Sequence, residues 1–553
     1  MARLKKSTSL QQPLLFQDVD KGRVTERFAQ RYRMHQYWAR KPWYVVREYL
    51  MKYTSPGDTV LDPFIGSGVT ACEALTLRRK IIWRDINPIA SLITRTVCVS
   101  PIDIQDFQRR ALSILSQLQT EVGDMYLSTC PKCGRDAELI NALWQGENLQ
   151  RVYLRCLACC ETTLKNADAH DLEVARSVST KQVKSEEIYR HPLPADSDVD
   201  CLGELYTPRN WYALATLYDL VGSEGNDEIA SLLKLMFCAT ASRVSRMNFI
   251  NKHRLARGNN PAGVWGEKRF WVPRESIENS VTYYFSERIS KIVKAKQETN
   301  HLIGNFYEDG GTFCGCIGSA TDLELPSGTV DYCFTDPPYG GSVKYLALSI
   351  IWNAWLGCEA DASKEIVIDR NRSLAEYGRM LEDAMRQIHR ALKPGRHLSV
   401  TFHSGDSSVW RAMLTACDAA GFSLCGASSE EPLKRSHNQL EMAGRVTTDF
   451  VLTFRKEASI RTQANEKATP SILDIVKQEA SQLIAEAGCA TTAEIYDRFI
   501  LAWLNGSGGR PRNGDLEISM KSLVTMLRRL GFTEGVEVKY DYKGVSREVR
   551  NWS

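Results

Sequence analysis

No stretch of this 553-residue chain approaches 18 consecutive apolar residues, so no membrane-spanning helix is expected. The basic opening Met1–Thr8 is followed by no apolar core, so no secretory signal is expected and a cytoplasmic location is. A strong excess of one charge is also missing. With 70 Lys and Arg against 66 Asp and Glu, the net charge of +4 is too mild to identify a nucleic-acid partner by itself. A disulfide framework is absent too: of 16 cysteines, the eleven other than Cys130, Cys133, Cys156, Cys159 and Cys160 follow no pairing pattern. The length leaves room for three or four domains.

Two motifs carry chemistry. The first is Asp336-Pro337-Pro338-Tyr339. An aromatic amine is a poor nucleophile because its lone pair is delocalised into the ring. Two acceptors that take both N–H protons favour a pyramidal nitrogen with the lone pair free on one face. The Asp336 carboxylate offers one acceptor and the Pro337 carbonyl the other, held by two prolines that fix φ and remove competing donors. Tyr339 offers a ring on which an extruded base would stack, worth about 1–3 kcal/mol. The preceding Val330–Thr335 reads as a short buried strand, which puts the motif at a strand's carboxyl end, where open α/β sheets place their ligands. A proline-rich turn is the plainer alternative. The strand before the motif and the helix-like Tyr345–Leu356 after it speak against that.

The second motif is Asp62-Pro63-Phe64-Ile65-Gly66-Ser67-Gly68, which follows an apolar strand ending at Asp62 and opens a helix of about Ser67 to Arg78. Glycines there permit a tight turn and close approach of a ligand to the backbone. The next strand, Lys80–Asp85, ends in an acid suited to a ribose diol. The run Gly66-Ser67-Gly68-Val69-Thr70-Ala71, with an acid 17 residues beyond Gly68, also fits a dinucleotide fingerprint. Asp62 at the mouth of the loop would repel a pyrophosphate and welcome the ammonium of a methionine, which favours S-adenosylmethionine over NAD.

The pair of motifs resembles the DNA amino-methyltransferases, which act on N6 of adenine or N4 of cytosine, and among them adenine-specific methylases that contain a zinc ribbon. The stretch His35-Gln36-Tyr37-Trp38-Ala39-Arg40-Lys41-Pro42, with Pro56-Gly57-Asp58 and the glycine motif, looks like that family's cofactor half. The resemblance implies that Asp62, Phe64, Gly66 and Gly68 line the cofactor and that Asp85 takes the ribose hydroxyls. It implies that His35 and Lys41 lie against the methionine end, and that Asp322 stands near the cofactor's adenine. Leu392-Lys393-Pro394-Gly395 reads as a helix end before a strand at His397–His403. Ser407–Ala420 reads as a helix, with strands at Phe422–Gly426 and Arg445–Arg455. The resemblance covers about residues 30–98 and 312–456. Val69 stands where the family often has threonine, and Trp83-Arg84 is bulky before the ribose acid. The cofactor half most resembles relatives in which DPPY comes first, whereas here it comes second.

Gly68 and Asp336 are 268 positions apart, too far for a loop, so a domain of its own is expected between the second and third strands, at residues 101–311. Within it, Cys130-Pro131-Lys132-Cys133 and, 22 residues on, Cys156-Leu157-Ala158-Cys159 match the two knuckles of a structural zinc ribbon at about 126–165. Cys160 leaves the second pair ambiguous by one residue. Further along, Arg243, Arg246, Lys252, Arg254, Arg257, Lys268, Arg269 and Arg274 face a single acid, Glu267, with Phe249, Trp265, Phe270 and Trp271 interleaved. That composition suits a nucleic-acid groove better than a solvated face of mixed charge.

The expected architecture is α/β: a doubly wound Rossmann-like methyltransferase core with a large inserted zinc-ribbon and target-recognition region and a C-terminal winged-helix-like domain. Its parts are an N-terminal extension (1–25), the cofactor half (26–100), the insert (101–311), the DPPY half (312–457), a polar linker (458–470) and a domain of three helices and a hairpin (471–553). In that last domain Arg510, Arg512, Arg528 and Arg529 could meet phosphate, or the domain could dock protein. The expected function is S-adenosylmethionine-dependent methylation of N6 of adenine in double-stranded DNA, in restriction-modification or phage defence, with a cognate nuclease or defence-system proteins as candidate partners. The alternatives are N4 of cytosine, RNA or a glutamine amide as substrate, and a DNA-binding module with an idle methyltransferase fold.

Overall fold

A computed structural model describes residues 29–176, 178, 184–266, 268–307, 311–430, 449–457, 471–507, 520–540 and 546–552. The expected N-terminal extension and polar linker lie outside these residues, as do Glu267, Arg510, Arg512 and residues 445–448 of the strand expected at Arg445–Arg455. Among the described residues, no helix is long and apolar enough to cross a membrane.

The architecture is mixed α/β. Strands β1 (Thr59–Asp62) and β2 (Lys80–Asp85) are joined by the helix Val69–Thr76. Between them and the rest of the main sheet come β3 (Leu127–Thr129), β4 (Asp136–Gln145), β5 (Asn148–Cys156), β6 (Glu161–Asn166) and β7 (Glu275–Asn279). The chain then returns with β8 (Phe313–Ile317), β9 (Val330–Thr335), β10 (Leu392–Phe402), β11 (Phe422–Glu430) and β12 (Asp449–Lys456). The main sheet has seven strands in the order β11-β12-β10-β9-β1-β2-β8. Neighbours run parallel from β10 through β8, and β12 is antiparallel to both β10 and β11.

Both faces of this sheet are covered, as its parallel strands β10, β9, β1, β2 and β8 require. Val60, Ile81, Tyr332 and Phe334 point into one apolar cluster, shared with the helices Pro208–Gly222, Glu228–Val244 and Val281–Leu302. Leu61, Cys333, Leu398 and Val400 point into the other, against the helices Leu374–Ala391 and Ser407–Ala419. One expectation is corrected: Leu392-Lys393-Pro394-Gly395 is not a helix end. The helix stops at Ala391, and these residues open β10, with a register irregularity between Leu392 and His397. Gly395 at φ +77° lets the strand bend there.

The long segment between β2 and β8 builds its own antiparallel sheet, β3-β4-β5-β6, with β7 paired to β4 further along the edge that β3 also uses. Arg209 joins its helices to its strands. The guanidinium meets Glu278 at 2.7 Å with both side chains almost wholly buried, and Trp144 adds a hydrogen bond. The chain ends in helices Ile472–Ala487, Thr492–Ser507 and Met520–Arg529, with strands β13 (Ala490–Thr491), β14 (Glu534–Tyr540) and β15 (Ser546–Trp552). These strands form a three-stranded sheet in which β13, not anticipated from the sequence, pairs with β15. This unit packs on the second cluster, and Asn505 Oδ1 accepts the Ala427 amide at 2.9 Å.

Candidate functional site

The DPPY residues leave the carboxyl end of β9, beside β1 in the parallel pairing Leu61 with Cys333. Asp336 Oδ1 accepts the Thr401 hydroxyl at 2.8 Å and the Tyr339 hydroxyl. Asp336 Oδ2 faces the Lys41 ammonium at 3.4 Å. Burial pushes the Asp336 carboxyl above the ordinary range, and Lys41 opposes that rise. Tyr377 donates to the Pro338 carbonyl at 2.7 Å and so braces the turn. The Tyr339 ring meets Phe402 edge-on, 5.2 Å between centres.

The glycine motif leaves β1 next to it. Gly68, at φ +76°, starts the helix Val69–Thr76, and a Cβ there would meet the Thr94 backbone at 3.0 Å, so the close packing needs glycine. Asp62 accepts the Phe64 amide at 3.1 Å and the Thr335 hydroxyl at 2.8 Å. Burial raises its carboxyl to about 7, against those hydrogen bonds. Asp85 accepts the amides of Gly66 and Asn87, each at 2.8 Å, and burial raises its carboxyl to about 6.

Both motifs open on one cavity of about 850 Å³ including its mouth. It is lined by Lys41, Asp62, Phe64, Gly66, Asp85, Asp336 and Pro338. Tyr37 and Tyr345, stacked 5.9 Å apart, form part of its apolar wall. The donor set suits an adenosyl amino acid: carboxylates at two places, a glycine turn, and aromatic and aliphatic surface between them.

Not every residue singled out in the sequence comes to this cavity: Gly68, Pro337 and Tyr339 are outside its lining, Pro337 buried and Tyr339 half-buried beside Asp336. His35 lies outside its lining, packed edge-on against Trp352 at 4.8 Å, and burial lowers its imidazole to about 3, so it is neutral. Asp322 is exposed and also outside the lining, and the wall nearby is Ser319 and Ala320. The sequence reading missed Lys364, Glu365 and Tyr345 on the wall, and Asp449, whose carboxylate meets Lys41 at 3.2 Å. No local pattern marks these residues, because they arrive from distant elements.

The four knuckle cysteines sit in the turns β3–β4 and β5–β6. Their sulfurs all lie within 4.8 Å of one another, with Cys130 to Cys159 at 3.9 Å and Cys133 to Cys156 at 3.6 Å. A tetrahedral zinc with bonds of about 2.3 Å separates its sulfurs by about 3.8 Å. The residues present therefore fit that ion. Cys160 is exposed and its thiol turns to the Leu157 carbonyl, which resolves the ambiguity of the second pair.

The basic segment divides. Arg254 and Arg257 are exposed on and after the short helix Lys252–Ala256. Lys252 meets Glu275 at 3.1 Å, and Arg269 meets Asp198 at 3.2 Å. Lys268 donates to the Ser342 carbonyl at 2.7 Å, beside the DPPY turn. Arg243 is half-buried, bound to the Gly263 carbonyl and set over the Tyr284 ring, and Arg246 is half-buried with its amide on Leu205. The expected interleaved aromatics need correction. Trp265 and Phe270 are buried and stacked on each other at 5.6 Å, with Trp38 edge-on at 5.5 Å. They fasten this segment to the core and present no face to a base.

Comparison with known proteins bears on the first of the two motifs in chain order. Residues 7–94 match the DNA methylase family of the N6/N4 type. The match takes in the glycine motif and Asp85, and it supports DNA methyltransferase activity at N6 of adenine or N4 of cytosine. A methyltransferase family implies S-adenosylmethionine as the donor. No curated protein matches the chain. One similar solved structure, from Thermus thermophilus and named as a DNA modification methylase, is 14% identical, covers 34% of this chain and 83% of its own, and has a TM-score of 0.17. Another, the 4+2 cyclase SpnF, is 16% identical over 30% of this chain and 64% of its own, with a TM-score of 0.16. Likenesses at that level carry no argument here.

Proposed function

We propose that the protein transfers a methyl group from S-adenosylmethionine to N6 of adenine in a specific double-stranded DNA sequence. The observation that carries this reading is the meeting of the two motifs in one cavity, whose lining takes in Asp336 and Pro338 from one and Asp62, Phe64 and Gly66 from the other. The donor supplies an electrophilic methyl on a sulfonium. The chain's own residues position. Asp62 receives the donor's ammonium, Phe64, Gly66 and Gly68 shape its cradle, and Asp85 takes the ribose hydroxyls. Asp336 and the Pro337 carbonyl hold the target amine with its lone pair toward the donor, and Tyr339 stacks the base. The base must leave the helix to reach them, at a cost of a few kcal/mol. The initial Asp of DPPY is the reason to favour adenine over cytosine.

In the same reading, Cys130, Cys133, Cys156 and Cys159 hold a structural zinc, because four thiolates leave no open position for chemistry. The segment 101–311 is then a zinc-bearing target-recognition insert, and 471–553 a winged-helix-like domain. Arg254, Arg257, Lys268 and Arg269 face DNA, while Arg243 supports the loop that presents them. A restriction-modification or phage-defence role, with a cognate nuclease or defence-system proteins as partners, follows from the chemistry of site-specific DNA methylation.

The test is incubation with labelled donor and unmethylated bacterial DNA, followed by digestion to nucleosides. Label in N6-methyldeoxyadenosine is expected. Label in N4-methyldeoxycytidine would move the target base, and no label in DNA would overturn the reading.

A further inference from the structure

The Lys41 ammonium stands beside Asp336 and Tyr339 of the DPPY turn. It lies 2.5 Å from the Tyr339 hydroxyl, 3.2 Å from Asp449 Oδ2 and 3.4 Å from Asp336 Oδ2, with its side chain only 9% exposed. An ammonium has three N–H donors, and these partners account for three. The longest of the three is the one to Asp336.

Asp336 is used asymmetrically. Its Oδ1 is taken by Thr401 and Tyr339, whereas Oδ2 has Lys41 as its one recorded partner among the described residues. Oδ2 is therefore the atom available to an incoming amine. The ammonium does not cover the Tyr339 ring. Its centre is 5.0 Å from the ammonium, while its hydroxyl is only 2.5 Å away. Those two distances put the ammonium beyond the hydroxyl edge of the ring rather than above its face. A base stacked on Tyr339 would then present its edge to Asp336 and Lys41 together.

We propose that Asp336 and Lys41 read the amidine edge of the extruded base as a pair, Asp336 Oδ2 accepting from the exocyclic amine and Lys41 Nζ donating to the neighbouring ring nitrogen. The proposal rests on the amino-methyltransferase reading and assigns Lys41 a specificity role within it. Adenine offers this edge as N6 and N1, and cytosine as N4 and N3. Thymine, and guanine at its carbonyl, offer the reverse order, which sets a carbonyl against the carboxylate and an N–H against the ammonium. Arrival of the amine at Oδ2 frees the Lys41 N–H that pointed there. Tyr339 and Asp449 keep the ammonium in place, and Asp449 balances its charge when Asp336 turns to the base. Flipped bases are commonly recognised along this edge, with an aromatic ring beneath them.

The experiment uses the full chain and a synthetic duplex bearing a site that the wild-type protein methylates, found by sequencing methylated DNA. Failure to methylate any DNA would sink the functional reading before this test begins. In the duplex the target adenine is replaced by 1-deazaadenine, or a target cytosine by 3-deazacytosine, so that the ring nitrogen becomes C–H. Duplex affinity is measured with S-adenosylhomocysteine present, so a variant without turnover still reports. The analogue pairs weakly and is easier to extrude, but that advantage is common to wild type and variant and cancels in their ratio. The ratio of natural-base to analogue affinity is expected to be about tenfold or more larger for the wild type than for Lys41→Met, the loss of a hydrogen bond to a charged group. Lys41→Met is expected to keep only the preference for the analogue that easier extrusion confers, and Lys41→Gln, which keeps a donor, to recover part of the discrimination. S-adenosylhomocysteine affinity reports whether each variant is folded, and Lys41→Gln decides where Lys41→Met is not. A natural-base to analogue affinity ratio that is the same in the wild type and in the folded Lys41 variants would overturn the proposal.

Discussion

The Thr335 hydroxyl donates to the Asp62 carboxylate at 2.8 Å across 273 positions of sequence. This bond ties the residue before DPPY to the acid that opens the glycine motif. It holds the ends of β1 and β9 together, and with them the two halves of the proposed reaction.

Asp336→Ala is expected to lower the methyl-transfer rate more than tenfold, at least ~1.4 kcal/mol of barrier, while donor affinity stays nearly intact. The carboxylate belongs to the DPPY turn and not to the glycine turn. Rates from labelled-donor assays and affinities from calorimetry separate the two effects. Retention of more than a tenth of the wild-type rate would remove Asp336 from its proposed role.

Donor binding is expected to depend on pH through Asp62. Burial raises this carboxyl to about 7, so in the free protein it is protonated below that value. A cationic amino group needs the ionised form, and below about pH 7 binding must expel a proton. Affinity should therefore fall by up to tenfold per pH unit below 7 and level off just above it. Asp62→Asn should bind weakly with this dependence flattened. A wild-type affinity constant from pH 5.5 to 7.5 would contradict the assignment.

Freshly purified protein is expected to carry one zinc per chain. Cys130→Ser removes one thiolate of four, so it should loosen the insert and weaken DNA binding more than donor binding. Elemental analysis reads the metal, and proteolysis reads the loosening. Absence of stoichiometric metal would end the zinc proposal.

Paired charge removal at Arg254 and Arg257 is expected to weaken DNA binding and reduce its salt dependence. The slope of log affinity against log salt should fall by roughly 0.9 for each lost phosphate contact. Donor affinity should not change, because neither residue lines the cavity. If the double variant's slope overlays the wild type, the DNA path lies elsewhere, and the C-terminal unit is the next surface to test.

Much of the core was legible in the chain. Lys80–Asp85 and Val330–Thr335 read as strands because short apolar runs bounded by turn residues suit the buried centre of a parallel sheet. The glycine turn was legible because positive φ and close packing restrict what can stand at Gly68. The aromatic residues of 249–271 were misleading. Their interleaving with arginines suited a nucleic-acid groove, yet Trp265 and Phe270 had Trp38 to pack against, and burial outweighed exposure. The strand β13 was too short to leave a periodic signal.

By itself the sequence determined the local chemistry: an acid, two prolines and a tyrosine in one turn, glycines in another, and thiols spaced for two knuckles. These are properties of neighbouring residues, written in backbone freedom and side-chain type. Only the tertiary structure decided that Asp62 meets Thr335, that Cys160 stands apart from the other four thiols, and that Lys41 lies between Asp336 and Asp449. The Asp62 and Lys41 contacts join residues hundreds of positions apart, and they follow from strand order and from burial shared by distant segments, which no local pattern encodes.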